Sequence, residues 1–436
     1  MERTSSSDDL VALGAELFIY GFALVFNLTQ INRFVHEGLG ALPKTGLNTL
    51  AHGRKLAGPR DTFVSVNNDT VYTTAILDLG AGPLRLDVPD ADDRYYVLQF
   101  VDAWTNNFAY IGRRATGTAA ASYLIVGPDH DGDLPPADGV IRAPTRVAVI
   151  VGRWAVEGDA DLPAVHALQD HMSLTALDTS TAPEGLPEPA TYMPDDMRLL
   201  DQLRTWAQAF PAAPDDLAYA KRFDVLHDAD EATLRAGLQR GEQQLEAGLA
   251  GGAGGAPRGG WLMNPHVFDY NNDYFEIGAL NDPQWRIGDR RQAALVRALA
   301  ARGGLWGNHG YEALYCQTYT DADGEPLTGE HRYTLTFAAE LPVDAFWSVT
   351  MYDLPEFYLV DNPIDRYSIG DRTDGLHYAD DGSLRILIQH DDPGGDETAN
   401  WLPAPPARFR PLLRMYQPQP AAFADDFALP PIQRCD

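Results

Sequence analysis

Cysteine is scarce in this chain: 436 residues carry two, Cys316 and Cys435. They do not make a disulfide framework, so no oxidising compartment is required. Positive charge is also short. There are 33 Lys and Arg against 62 Asp and Glu, a formal net charge of -29. That balance argues against a basic face for DNA, RNA or anionic lipid. An acidic surface can favour cationic ligands, or simply keep the protein soluble. Long apolar runs are missing too. Residues 17–26 are apolar, but Glu16 precedes them and Asn27 and Gln30 follow. No span of about 20 apolar residues is left to cross a membrane. The opening Met1-Glu2-Arg3-Thr4 and its Ser/Asp run lack the basic region of a signal peptide. A cytoplasmic protein with no membrane or nucleic-acid partner is expected, and homo-oligomerisation stays open.

Metal and cofactor signatures are absent as well. The 11 histidines include no H-x-H, no H-E-x-x-H and no Cys–His grouping. Asp321-Ala322-Asp323-Gly324-Glu325 places its glycine too early for an EF-hand and reads as a hairpin turn. His266, Asp269, Asp273 and Glu276 are near one another in sequence, but the expected metal set is none. There is no G-x-S-x-G elbow, no P-loop and no G-x-G-x-x-G after a strand. Lipase-type, P-loop and dinucleotide redox chemistry therefore lack support, and no cofactor is expected.

What is present is a change of hydrophobic period along the chain. Apolar residues from Leu10 to Phe26 keep helical spacing, and Asp8 or Asp9 can cap a helix running to about residue 35. Residues 45–63 are irregular. Short strands follow at 70–78, 84–88, 95–101, 108–112, 122–126 and 146–151, separated by Gly, Pro and Asp turns. Helices are expected at 162–178, 193–209, 214–225, 231–249 and 289–301, with a flexible Gly-rich linker at 251–260. From about residue 314 to 416 the strand pattern returns. The expected organisation is a lead-in at 1–60, a β-sandwich at 61–158, a helical insert at 159–302 and a second β unit at 303–436.

Several side chains exceed what strands and turns need. Asn67, Asn68 and Asp69 stand together before a strand, where they can build a turn or face a cleft. Arg94, Tyr96, Leu98 and Phe100 share one strand face, and Tyr95, Val97, Gln99 and Val101 the other. Asp102 falls just past that strand end, a common place for site residues. An ion pair between Asp102 and Arg113 that pins the strands is the plainer reading. In the second β unit, Trp347, Val349 and Met351 share one face, while Ser348, Thr350 and Tyr352 share the other. Those hydroxyls suit a ligand cleft or a solvent-facing strand equally. Arg366 can hold an anion in a bidentate fork or bond loop carbonyls. Trp401, in a rigid exposed Asn400-Trp401-Leu402-Pro403 loop, can stack on a ligand or cover the core.

Asn67-Asn68-Asp69-Thr70-Val71-Tyr72, Leu77-Asp78-Leu79, Arg94-Tyr95-Tyr96, Gly127-Pro128 and Gly152-Arg153 resemble the domain-of-unknown-function family 1254. Phe346-Trp347-Ser348-Val349-Thr350-Met351-Tyr352, Asn362-Pro363, Arg366-Tyr367, Asp381-Gly382-Ser383-Leu384 and Asn400-Trp401-Leu402-Pro403-Ala404-Pro405 resemble family 1214. The resemblance implies a mainly β fold: an immunoglobulin-like sandwich, a helical insert and a jelly-roll sandwich. It carries over no catalytic residue. The expected function is an enzyme acting on a polar small molecule by acid–base chemistry. Asp102 would be the base and Tyr72 or Tyr352 the proton donor. Asn67, Asp69, Arg94, Arg366 and Trp401 would hold the substrate. The alternative is a non-catalytic ligand- or carbohydrate-binding protein.

Overall fold

A computed structural model describes residues 7–40, 42–190, 193–250 and 256–435. The fold is mixed, 30% helical and 26% strand in several sheets, and so carries more helix than the mainly β expectation. Residues 1–4, on which the signal-peptide expectation rests, lie outside the described residues.

The first β unit holds β1 (Ala51–His52), β2 (Thr70–Asp78), β3 (Leu84–Val88), β4 (Tyr96–Asp102), β5 (Asn107–Gly112), β6 (Ala121–Val126), β7 (Gly139–Arg142), β8 (Val147–Ala155) and β9 (Ser173–Ala176). They form sheet A, in the order β7-β6-β3-β9, and sheet B, in the order β1-β2-β8-β4-β5. The helix expected at 162–178 stops early, as Leu162–His171. Its last residues pair instead with β3, so the unit extends past the boundary expected at residue 158. Alternation gives sheet B two faces. Val71, Ala75 and Leu77 of β2, Tyr96, Leu98 and Phe100 of β4, and Ala148, Ile150 and Trp154 of β8 fill the core shared with sheet A. Arg94 precedes β4 and turns away to pair with Asp161 at 2.5 Å.

The second unit holds β10 (Ala256–Arg258), β11 (Trp261–Met263), β12 (Ala313–Gln317), β13 (Tyr333–Phe337), β14 (Val343–Asp353), β15 (Ser368–Gly370), β16 (Leu384–Gln389), β17 (Trp401–Pro403), β18 (Phe409–Pro418) and β19 (Gln433–Arg434). Sheet C runs β10-β11-β12-β18-β14-β15, and sheet D runs β17-β16-β13-β19. Part of the expected linker is thus a hairpin. Gly259 (φ 60°) and Gly260 (φ 88°) supply the two left-handed positions of a tight turn between β10 and β11. Residues 251–255 of that linker lie outside the described residues. Trp347, Val349 and Met351 enter the core between sheets C and D, as their alternation predicts.

Helices cover part of the other face of sheet B. They are α1 (Ser7–Glu37), α3 (Arg198–Ala209), α4 (Pro214–Ala220), α5 (Glu231–Ala250) and α6 (Arg290–Gly304), whereas α2 (Leu162–His171) packs Val165 into the core shared by sheets A and B. The helix expected at 214–225 tightens into a 3₁₀ segment, Lys221–Asp228, after α4. Helix α1 is apolar nearly all round because neighbours surround it. A Cβ on Gly14 would stand 3.0 Å from Gly237 Cα of α5, so the two helices cross at bare backbone. Mean hydropathy over the best 18-residue window of α1 reaches 1.8, enough by length and composition to cross a membrane, where the sequence reading found no such span. In this fold 50% of that window is buried within the protein.

Candidate binding pocket between the β units

The outward face of sheet B changes its cover along its length. Ile76, Val101, Val147, Val149 and Val151 pack with α1 and α3 in one apolar cluster. Tyr95, Val97 and Ala155 pack instead against Ala313, Phe346 and Tyr416 of the second unit. Where the cover passes from helices to sheet C, it does not close. A pocket remains, with about 1260 Å³ of empty space that is partly open to solvent.

Much of the lining is apolar and includes Leu39, Leu42, Phe63, Leu249, Phe268, Leu299 and Leu305. The two sheets supply a polar wall. Sheet B offers Tyr72, Thr74 and Arg153, and sheet C offers Tyr315, Gln317, Arg410, Arg414 and Tyr416. The spacing on β18 follows from the two-residue period. Arg410, Leu412, Arg414 and Tyr416 leave on one face while Phe409, Leu413 and Met415 enter the core.

The three guanidiniums are almost wholly buried, with Arg153 6%, Arg410 2% and Arg414 3% exposed. Arg153 donates to Gln99 Oε1 at 2.8 Å and to the Trp306 carbonyl at 2.7 Å. Arg410 donates to Ser65 Oγ at 2.7 Å and Gln317 Oε1 at 3.1 Å. Arg414 donates to the Ser65 carbonyl at 2.7 Å, the Tyr352 hydroxyl at 2.8 Å and Thr350 Oγ1 at 3.0 Å. Among the described residues none of the three has a carboxylate oxygen within ion-pair distance. Burial, helped by the Arg414 charge, pushes the Arg410 guanidinium below its ordinary range, ahead of the opposing influence of Tyr319 and Tyr352. Arg410 Nε and Thr74 Oγ1, both on the pocket wall, are buried without a hydrogen-bond partner.

Of the residues expected at a site, Asn67 and Tyr72 reach this wall. Asn67 Oδ1 also accepts from the Asp69 and Thr70 amides and from Thr70 Oγ1, which makes it the turn former before β2. The Tyr72 hydroxyl accepts from the Asn67 amide at 3.3 Å, and its ring lies 5.6 Å from the Arg153 guanidinium. Tyr352 sits behind the wall, donating to the Val66 carbonyl at 2.5 Å. Asp69 joins the units. Its Oδ2 accepts from Ser348 Oγ at 2.7 Å and from the Tyr416 hydroxyl at 3.0 Å. The hydroxyl face of β14 is therefore buried against the first unit, not set toward solvent.

The other candidates are elsewhere. Arg366 donates to the Thr398, Ala399 and Trp401 carbonyls and so pins a loop. Trp401 is not on an exposed loop. It is 0% exposed in β17, which pairs in parallel with β16, and its indole donates to the Gln389 carbonyl. Arg94 is bound to Asp161 and the Ala155 carbonyl. Arg113 pairs with Asp93 at 3.0 Å, not with Asp102. Asp102 instead closes the β4–β5 hairpin, accepting from the Asn106 amide and side chain, both at 2.8 Å. Burial raises its carboxyl to about 6, against the lowering pull of those bonds. Asp102→Ala should cost about 2–3 kcal/mol, since two buried donors lose an ionised acceptor. Urea unfolding checks this, and a loss below about 0.5 kcal/mol would remove the hairpin role.

His266 and Asp269 do meet, at 2.7 Å, but their third member is His309, at 2.8 Å from Asp269. Asp273 and Glu276 do not complete a metal group, and no such group exists among the described residues.

The pocket arginines were missed by the sequence reading. The signal for Arg410 and Arg414 was a spacing of four within one strand, which puts both on one face. Arg153 lies in the quoted Gly152-Arg153 pair, but nothing local set it apart.

Two stacked pairs of sheets, with a helical layer beside their junction, define a two-unit β-rich protein with a pocket between the units. Comparison with known proteins gives the family. The "Protein of unknown function (DUF1254)" family matches residues 47–176, and "Protein of unknown function (DUF1214)" matches residues 312–420. The chain belongs to the proteins that carry these two domains in tandem, in that order. It is similar to the VPA0106 protein from Vibrio parahaemolyticus, at 21% identity and a TM-score of 0.70 over 98% of this chain and 100% of that one. An uncharacterised protein from Burkholderia cenocepacia aligns at 12% identity and a TM-score of 0.45, covering 99% of this chain and 95% of that one. No curated protein matches the sequence.

Proposed function

We propose that the chain binds a small organic molecule in the pocket between sheets B and C. The observation that carries this reading is the pocket itself, its lining largely apolar with fixed hydrogen-bond donors supplied by both sheets. Binding is preferred to acid–base turnover because the described wall carries no Asp, Glu, His or Lys side chain. A catalytic role would have to run through tyrosine, and Tyr72 is the expected proton carrier that lies on the wall. We read the sheet A–B pair as an immunoglobulin-like sandwich and the sheet C–D pair as a jelly roll. The two-sheet packing of each unit supports both.

Gly304, the last residue of α6, offers the test. It lines the pocket, and an added Cβ there meets nothing within 4 Å. Gly304→Trp should therefore fold while placing an indole at the pocket. The neutral dye Nile red should fluoresce strongly with the native protein and at least fivefold less with Gly304→Trp. Equal fluorescence from the two proteins would sink the pocket as the binding site.

A further inference from the structure

We propose that the ligand of this pocket is an amphiphilic oxyanion, its acidic head held by Arg153, Arg410 and Arg414 and its apolar body lying toward Leu249, Phe268 and Leu299. The inference rests on the pocket reading above and names the chemistry of what fills it.

The argument starts from the cost of buried charge. A guanidinium taken out of water loses several kcal/mol of hydration, and proteins recover this with a paired carboxylate or a bound anion. Elsewhere in this chain the first solution is used. Arg297, 1% exposed, pairs with Asp216 at 2.9 Å, and Arg290 meets the same carboxylate at 3.3 Å. The three pocket arginines lack that partner and are held by carbonyl, amide and hydroxyl oxygens alone. Such neutral bonds orient a guanidinium without cancelling its charge. The nearby carboxylate of Asp69 is already engaged by two hydroxyls, those of Ser348 and Tyr416. Asp69 still acts on Arg414 through space, but an acidic protein has assembled three guanidiniums on one pocket wall with no carboxylate in direct contact.

The cations are also aimed. Ser65 accepts from Arg410 through its hydroxyl and from Arg414 through its carbonyl, so one residue fixes both forks. Arg410 Nε and Thr74 Oγ1 remain unsatisfied on opposite sheets of the wall. Small rotations of these buried side chains would let an oxyanion between the sheets accept from them, since carboxylate and phosphate oxygens match the guanidinium fork. Beyond the three arginines the lining is largely apolar and carries no further charge. A small hydrophilic anion such as free phosphate would leave that surface facing water. An acid with an apolar body covers it.

Displacement of Nile red tests the proposal, with octanoate, octyl phosphate, octanol and octylamine as the probes. Octanoate or octyl phosphate should displace the dye at concentrations at least tenfold below octanol, and octylamine should be weaker still. Which of the two acids is stronger identifies the head as carboxylate or phosphate. Arg410→Gln should reduce the advantage of the acids over octanol to less than threefold, and Thr74→Val should reduce it in the same direction. Thermal unfolding of each variant confirms that it is folded. If Arg410→Gln does not fold, Thr74→Val and Arg410→Lys carry the test. If octanol displaces the dye as well as octanoate, or if no acid displaces it, the oxyanion assignment is overturned while the pocket reading stands. If Nile red binds the native protein and Gly304→Trp alike, the pocket reading fails and this assignment fails with it.

Discussion

Asp69→Ala is expected to destabilise the protein by about 4 kcal/mol. The carboxylate is 6% exposed and accepts hydrogen bonds from Ser348 of β14 and Tyr416 of β18 while itself preceding β2. Each bond to an ionised acceptor is worth about 1.5–3 kcal/mol, and its loss strands a buried hydroxyl. The effect is large because the bonds join two units far apart in sequence. Nothing local can replace them. Asp69→Asn keeps one acceptor oxygen and should lose about half as much. Urea unfolding of the three proteins decides the matter. A loss below about 1 kcal/mol for Asp69→Ala would show that the apolar contacts of Tyr95, Phe346 and Tyr416 hold the units together without the carboxylate.

The strands were the legible part of this sequence. Residues 70–78 and 84–88 were read to the residue, and the two faces of β4 and β14 followed from alternation alone. What alternation does not tell is what covers the second face. Ser348, Thr350 and Tyr352 read the same against water and against another protein surface, because hydroxyls serve both. Only the stacking of sheet C on the first unit decides between them. The same limit applied to Asp102 and Asp69. Both are acids beside strand ends, and the sequence made them look like site residues. One closes a hairpin and the other clamps two units.

The candidate site was less legible, for a related reason. Its polar wall is drawn from β2, β8, β12 and β18, and no stretch of sequence holds more than a few of its members. A motif search finds chemistry that is contiguous. This pocket is made where two sheets and the end of α6 fail to close, so its existence is a property of packing. The Trp401 motif shows the opposite error. Asn400-Trp401-Leu402-Pro403 looked exposed because Asn and Pro usually mark loops. Yet Asn400 spends its amide on the His377 and Arg385 carbonyls, and the next residue is core.

Glu312 should make stability fall as pH rises toward neutrality. It is 2% exposed at the start of β12 and accepts from the Tyr95 hydroxyl at 2.9 Å, at the joint between the units. Burial raises its carboxyl from 4.5 to about 7, against the lowering influence of the Tyr95 bond and of Arg114 and Arg153. A raised carboxyl means that the folded protein holds a proton the unfolded chain has already released. Stability is therefore fully present below about pH 4.5 and declines until about pH 7, where both states are ionised. The span corresponds to about 3 kcal/mol. Burial raises Asp102 and Asp371 in the same sense, each to about 6, so the native profile alone does not isolate Glu312. Glu312→Gln does. It removes the titration while keeping an oxygen for Tyr95, so its stability relative to the native protein should rise by about 3 kcal/mol between pH 5 and pH 8. Urea midpoints at half-unit pH steps give this difference directly. Parallel profiles for the two proteins would mean that Glu312 is already ionised in the folded state at pH 5. The Tyr95 bond and the Arg153 charge would then outweigh its burial, and Arg153 would be partly neutralised from behind the pocket wall. The pH profile of one residue outside the pocket therefore also reports how much positive charge the wall retains for a ligand.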